Sequence, residues 1–357
     1  MRNIQTILKG LLVVCMTFLC KGMFAQQHVL LALSKEDHVL AIIDPSTLKI
    51  LTRVPVGNDP HEVIASYDGK IAYVSILGGG QSHEIDVIDL VAGKRLADID
   101  TRPLMGPHGL DFSGGKLYFS AEGTKTVGRY DPASGKLDWC IGTGQDRTHM
   151  VYVTSDQKRI YTTNVSSGSV SIFVDTLLTF GPGPGGPPPG GQPNGQQRQG
   201  PPPNFGPRHD WVMTLVPVSR GSEGFDVSPD GHDLWTASGQ DGVISLVDLG
   251  SKKLITTLDV KAPGANRLKF TPDGKLVLVS SLGNGNVLVI DAVTHQLVKK
   301  INTGHGGAGI LMDPDGSRAF IGCTPDNYVA VIDLKKLELA THIELGGPDG
   351  LAWAVKP

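Results

Sequence analysis

Apolar and polar residues alternate along most of this chain, in short runs rich in β-branched side chains and separated by Gly, Asn and Asp. The run "KLVLVSS" is typical: strand-length, preceded by the turn signal "TPDG" and followed by the polar loop "LGNGN". Period-two alternation with such punctuation predicts strands throughout.

The strands repeat as groups. Segments ending in aspartate recur as "LAIID" at Asp44, "IDVID" at Asp89, "VGRYD" at Asp131, "SIFVD" at Asp175, "ISLVD" at Asp248, "VLVID" at Asp291 and "VAVID" at Asp333. All the intervals but one fall between 42 and 45 residues; the interval from Asp175 to Asp248 is 73. Each unit reads as an inner strand, a turn that is often Asp-Gly, a second strand, a polar loop, the strand ending in aspartate, and a fourth strand. Four short antiparallel strands at that period predict a blade of a β-propeller. One blade cannot bury both of its faces, whereas a closed ring of blades can. The chain ends on "PDGLAWAVKP", which matches an inner strand, and opens after residue 25 on the other three strands of a blade. The expected fold is therefore all-β: a seven-bladed β-propeller of four-stranded antiparallel blades, the last closed by N- and C-terminal strands. The aspartates themselves need only a turn role, as side-chain acceptors for backbone N–H groups.

Two segments stand outside the pattern. Residues 1–25 hold Arg2 and Lys9 ahead of the apolar run "GLLVVCMTFLC", then "GMFAQQ", which predicts a signal peptide cut after Ala25. Lipidation at Cys20 is disfavoured by the bulky Phe18 and Leu19 before it. The expected mature protein is exported, periplasmic or extracellular, with no transmembrane segment, and is a monomer. The second segment is the Gly/Pro/Gln-rich insertion at about 179–207, which cannot form a core and is expected to be a disordered or polyproline-like loop. Lengthening a connection to that extent costs only about 2 kcal/mol by the logarithmic closure law.

Formal charge narrows the partners. The full chain carries −3, and removing Arg2, Lys9 and Lys21 makes the mature chain more acidic. Nothing basic favours nucleic acid. The cysteines left after cleavage, Cys140 and Cys323, form neither a zinc motif nor a disulfide framework, and both are expected to be buried. No Cys-x-x-Cys-His occurs, so a covalently attached c-type haem is absent.

The segments "DGKIAYVS", "SPDGHDLWTAS", "TPDGKLVLVSS" and the "VID" strand ends resemble the YVTN-repeat (YncE-type) β-propeller family over nearly all of the mature chain. The resemblance implies the fold. For activity it implies a range: exported binding proteins, cell-surface modules, lactonase-like enzymes, or subunits of periplasmic redox enzymes.

The candidate chemistry comes from register. Aligning the inner strands on their turns places His61, His108, His149, Glu223, Asn266, Ala308 and Asp349 at equivalent positions, which a propeller gathers around one mouth of its channel. Three successive blades thus supply histidine and the next supplies glutamate. The predicted ligand-binding set is His61, His108, His149, Glu223, Arg267 and Asp349, with Arg147 and Arg220 nearby. The loops carrying His83 and Glu84, Glu122, and Asp326 are expected to rise around the same mouth. One divalent transition metal on His61, His108, His149 and Glu223 fits the ligand types, as does an acid–base pair. Water-bonded lining of a polar channel fits as well. Two functional readings remain open: an exported propeller that binds a small molecule or a protein partner at this mouth, and a metal-dependent hydrolase or lyase, lactonase-like, using the same cluster. His305 and the other histidines are expected at the surface, and Trp235 and Trp353 in packing between blades.

Overall fold

The computed structural model describes residues 28–179 and 207–356. They form seven antiparallel sheets. The signal-peptide expectation and most of the insertion lie outside the described residues. The strands flanking the insertion, Ser169–Leu178 and Arg208–Pro217, pair along their full length.

Blades are numbered here from the first complete one, and their inner strands are Pro60–Ala65, Pro107–Ser113, Thr148–Val153, Ser222–Val227, Ala265–Phe270, Gly307–Met312 and Pro348–Val355. Each inner strand touches the next, and that of blade 7 touches that of blade 1. Blade 7 joins both ends of the described chain: Pro348–Val355 pairs with His28–Ser34, which pairs with Val39–Asp44 and then Lys49–Pro55. The ring closes as the repeat pattern predicts. Blade 1 is the irregular one, its outer edge broken into Lys94–Arg95 and Ile99–Asp100.

The middle strands of the blades are continuous buried runs, as in Val39–Asp44, Leu276–Ser281 and Asn286–Asp291, so both faces of a blade are apolar and each packs against a neighbour. The core is accordingly divided into seven apolar clusters, one per junction. Trp235 of blade 4 meets Phe270 of blade 5 edge-on at 5.4 Å. Trp353 meets Phe320 across the junction of blades 7 and 6 at 5.6 Å and donates its indole N–H to the Met312 carbonyl. Both tryptophans serve packing, as expected. The strand-end aspartates accept turn N–H groups, for example Asp89 from Val91 and Ala92, and Asp333 from Lys335 and Lys336.

Cys323 is buried, but Cys140 is exposed, which corrects the expectation for it. Cys140 lies on the outer strand Lys136–Gly142, where alternate residues face away from the neighbouring sheet.

Inner strands are the free edges of their blades, so their channel-side N–H groups need acceptors from elsewhere. Aspartates supply two of them. Asp111 of blade 2 accepts the Val153 N–H of blade 3 at 2.5 Å, and Asp226 of blade 4 accepts the Phe270 N–H of blade 5 at 2.9 Å.

Candidate functional site

Seven-fold local geometry builds the mouth. The turn alignment puts His61, His108, His149, Glu223, Asn266, Ala308 and Asp349 just ahead of the inner strands; each is instead the second residue of one, two positions further in. Every inner strand also breaks register with its neighbour at this position, as between Thr148 and Val151 or between Pro60 and Val63. Such bulges turn a side chain out of the ladder, here into the channel end. All seven residues line one cavity of about 380 Å³, together with Lys35, Arg147 and Arg267.

Two residues before each ring position the backbone is left-handed. Five blades use glycine there, from Gly106 to Gly347, but blade 1 has Asp59 at φ 64° and blade 3 has Arg147 at φ 53°. A non-glycine residue at positive φ is uncommon and costs of order 1–2 kcal/mol. Both exceptions send their side chains to the mouth. Asp59 Oδ1 lies 2.9 Å from His61 Nε2, and Arg147 lies 3.4 Å from Glu223 and 3.8 Å from Glu122.

The position after the ring residue forms a second layer. Gly109, Gly224, Gly309 and Gly350 stand there because a Cβ would strike the next blade's backbone; at Gly309 it would lie 2.0 Å from the Asp349 carbonyl oxygen. Blades 1 and 5 carry Glu62 and Arg267 instead, and these pair at 2.6 Å. Burial pushes the Glu62 carboxyl up, against the opposing charge of Arg267.

The three imidazoles form a row. His61 and His108 have ring centroids 4.8 Å apart, and His108 and His149 only 3.8 Å apart with planes tilted by 30°. His108 and His149 are 1% and 4% exposed. Burial lowers the pKa of His61, with Asp349 opposing and Lys35 assisting. Burial and the neighbouring imidazoles hold His108 well below the ordinary value, so it is neutral.

Their partners differ. His61 lies within reach of Lys35 Nζ, at 2.9 and 3.2 Å from its two ring nitrogens, as well as of Asp59. His149 Nδ1 is hydrogen-bonded to the Glu122 carboxylate, and its Nε2 lies 3.9 Å from Glu223 Oε2. Burial works to raise the Glu122 carboxyl, but the hydrogen bond and charge of His149, with Arg147, outweigh it and leave the pKa low. His108, His149 and Glu122 can each offer one ligand atom, all within 4.8 Å of one another.

Six buried side-chain polar atoms lack any hydrogen-bond partner among the described residues, and four belong to this cavity: His108 Nδ1, His149 Nε2, Asn266 Oδ1 and Arg267 Nη1.

Of the predicted ligand-binding residues, His61, His108, His149, Glu223, Arg267 and Asp349 all line the cavity. Arg220 lines an adjoining cleft shared with Arg147 and Glu223. His83 and Glu84 do not reach the mouth; they line a separate cleft, and Glu84 pairs with Arg95. Asp326 bonds the exposed His305. Lys35, Asp59 and Glu62 were not read from the sequence as members. For Asp59 a signal existed: it occupies a position that is glycine in five of seven repeats.

No protein-family model matches the chain, and no curated protein is significantly similar to it. Solved structures are similar in fold. A functionally unknown protein from Desulfotomaculum acetoxidans aligns at 12% identity and TM-score 0.68, covering 92% of this chain and 99% of its own. A candidate 6-phosphogluconolactonase from Bacteroides fragilis aligns at 16% identity and TM-score 0.69, covering 93% and 99%. Kuenenia stuttgartiensis hydrazine synthase aligns at 17% identity and TM-score 0.63, covering 82% and 89%. Identities this low carry architecture alone, and that architecture is the seven-bladed β-propeller.

Proposed function

We propose that this chain is an exported, monomeric small-molecule-binding propeller of the YVTN-repeat type whose ligand enters the histidine-bearing mouth. The four unpaired buried polar atoms that line one cavity carry this reading. The large majority of buried side-chain polar atoms in folded proteins are paired, and an unpaired one costs about 1–3 kcal/mol. A cluster of four in one concavity supports a bound species that completes them. The volume is within the range of small-ligand sites. Arg267 Nη1 offers a donor and Asn266 Oδ1 an acceptor, which suits a polar ligand carrying an oxyanion and a hydroxyl.

Thermal shift with a panel of sugar acids, sugar phosphates and di- and tricarboxylates, in chelator-treated buffer, tests the reading. At least one compound should stabilise the protein saturably, and the shift should vanish in Asn266→Ala and Arg147→Ala. No stabilisation above 1 °C by any compound, or shifts that survive both substitutions, would remove the proposal.

A second reading, a metal-assisted hydrolase of lactone-like esters, draws on one added observation. Glu122 fixes the imidazole of His149 through Nδ1, an arrangement that leaves Nε2 as a base or ligand. Lactone hydrolysis that depends on His149 and is lost on chelation distinguishes it from pure binding.

A further inference from the structure

We propose that the mouth holds one divalent transition-metal ion, with His149 Nε2 and a ring nitrogen of His108 as ligands, Glu223 as the carboxylate ligand, and Glu122 as the positioning residue for His149. This deepens, and rests on, the reading of the mouth as the functional site.

Ligand availability is the first argument. His149 Nε2 and His108 Nδ1 are buried with no partner among the described residues, and one ligand atom of each lies within 4.8 Å of the other. His61 differs: Lys35 and Asp59 sit against its ring nitrogens. The metal set read from the sequence therefore loses His61 and keeps His108, His149 and Glu223.

Orientation is the second. A metal-bound histidine commonly gives its other N–H to a carboxylate, which fixes the tautomer and makes the ligand more basic. Glu122 holds His149 Nδ1 in this way, so the lone pair falls on Nε2, on the side of Glu223.

Charge is the third. Setting aside the mutually paired Glu62 and Arg267, the mouth brings Asp59, Glu122, Glu223 and Asp349 against Lys35 and Arg147. Two negative charges are left over, which matches one divalent cation. Imidazole with a single carboxylate suits zinc, copper, nickel or iron and not the oxygen-loving calcium or magnesium. Three protein ligands leave at least one position free toward the cavity, the arrangement of a site that also takes a ligand.

The test uses the tag-free mature chain, stripped of metal and titrated with Zn²⁺ or Co²⁺ alone. One equivalent should bind, with the visible absorption of Co²⁺ in a nitrogen- and oxygen-donor site of low coordination number. His108→Ala and His149→Ala should each weaken binding at least 100-fold. Glu122→Gln should weaken it 10- to 100-fold, and the surface variant His342→Ala should leave it unchanged. Should a histidine variant fail to fold, X-ray absorption of the wild-type zinc form decides, by the presence or absence of two coordinated imidazoles. Less than a tenth of an equivalent bound, binding indifferent to His108 and His149, or a zinc spectrum without imidazole overturns the proposal. Since the compound panel is run in chelator and this titration without compounds, failure of the metal leaves the binding reading standing, and the reverse.

Discussion

Arg267 and Glu62, each the residue that follows a ring position, join blade 5 to blade 1 through an ion pair of 2.6 Å. Both side chains are mostly buried, at 11% and 15% exposure. Such a pair adds little net stability, yet losing one partner strands a buried charge at a cost of about 3–5 kcal/mol. Arg267→Ala should therefore lower the urea midpoint sharply, and Arg267→Met with Glu62→Gln should recover most of the loss. Equal destabilisation in the single and double variants would show that the pair is not the relevant interaction.

Arg147 holds a left-handed backbone that five other blades assign to glycine. Its ion pairs are half-exposed and worth at most about 1 kcal/mol. Arg147→Gly should raise stability by about 0.5–1 kcal/mol while weakening ligand retention at the mouth. Denaturation and the compound panel, run together on this variant, check both halves. A loss of stability would mean that the strain is absent.

Close approach of the blades makes a sharper prediction. Gly309→Ala would place a methyl 2.0 Å from the Asp349 carbonyl oxygen, whereas a Cβ at Gly142 meets nothing within 4 Å. Overpacking of this kind costs about 1–3 kcal/mol, and the outer-strand control should change stability by under about 0.5 kcal/mol. Thermal unfolding of the two variants, side by side, reads the difference.

Asp111 links blade 2 to blade 3 as an acceptor of the Val153 N–H. Burial raises its pKa to about 6 from 3.8, against the two backbone hydrogen bonds that favour the carboxylate. For an acid raised in the folded state, the stabilising contribution is full below the unfolded value and is lost as pH rises through the folded one. Stability should thus carry a component of about 2 kcal/mol that declines between roughly pH 4 and 6. Denaturation across that window should show a shallower decline in Asp111→Asn than in the wild type, the remainder coming from the raised carboxyls of Glu62 and Asp86. A wild-type contribution that rises with pH there would contradict the assignment.

The fold was legible because blade geometry repeats. Seven strand-end aspartates and the Asp-Gly turns set the period, and the chain ends supply complementary strands of one blade. Ring positions followed from the same register, which is why His61, His108, His149, Glu223 and Asp349 could be grouped from residues far apart in sequence. Partners reaching in from elsewhere were less legible. Lys35 sits after the first strand of blade 7, and its backbone N–H is tied to the Gly347 carbonyl. Glu122 belongs to a 3₁₀ turn in the neighbouring blade, named as a loop residue but not linked to His149. Local pattern specifies neither, because each depends on how adjacent blades stagger. Cys140 was misread because outer strands lack the strict burial of inner ones.

The most direct test of the mouth is a high-resolution difference map from crystals of residues 26–357 soaked with zinc chloride and a stabilising panel compound. The account predicts non-water density joining His149 Nε2, His108 and Arg267 Nη1 within the cavity. Ordered waters alone, bonded to those same atoms under saturating soaks, would reduce the histidine row to channel lining and contradict it.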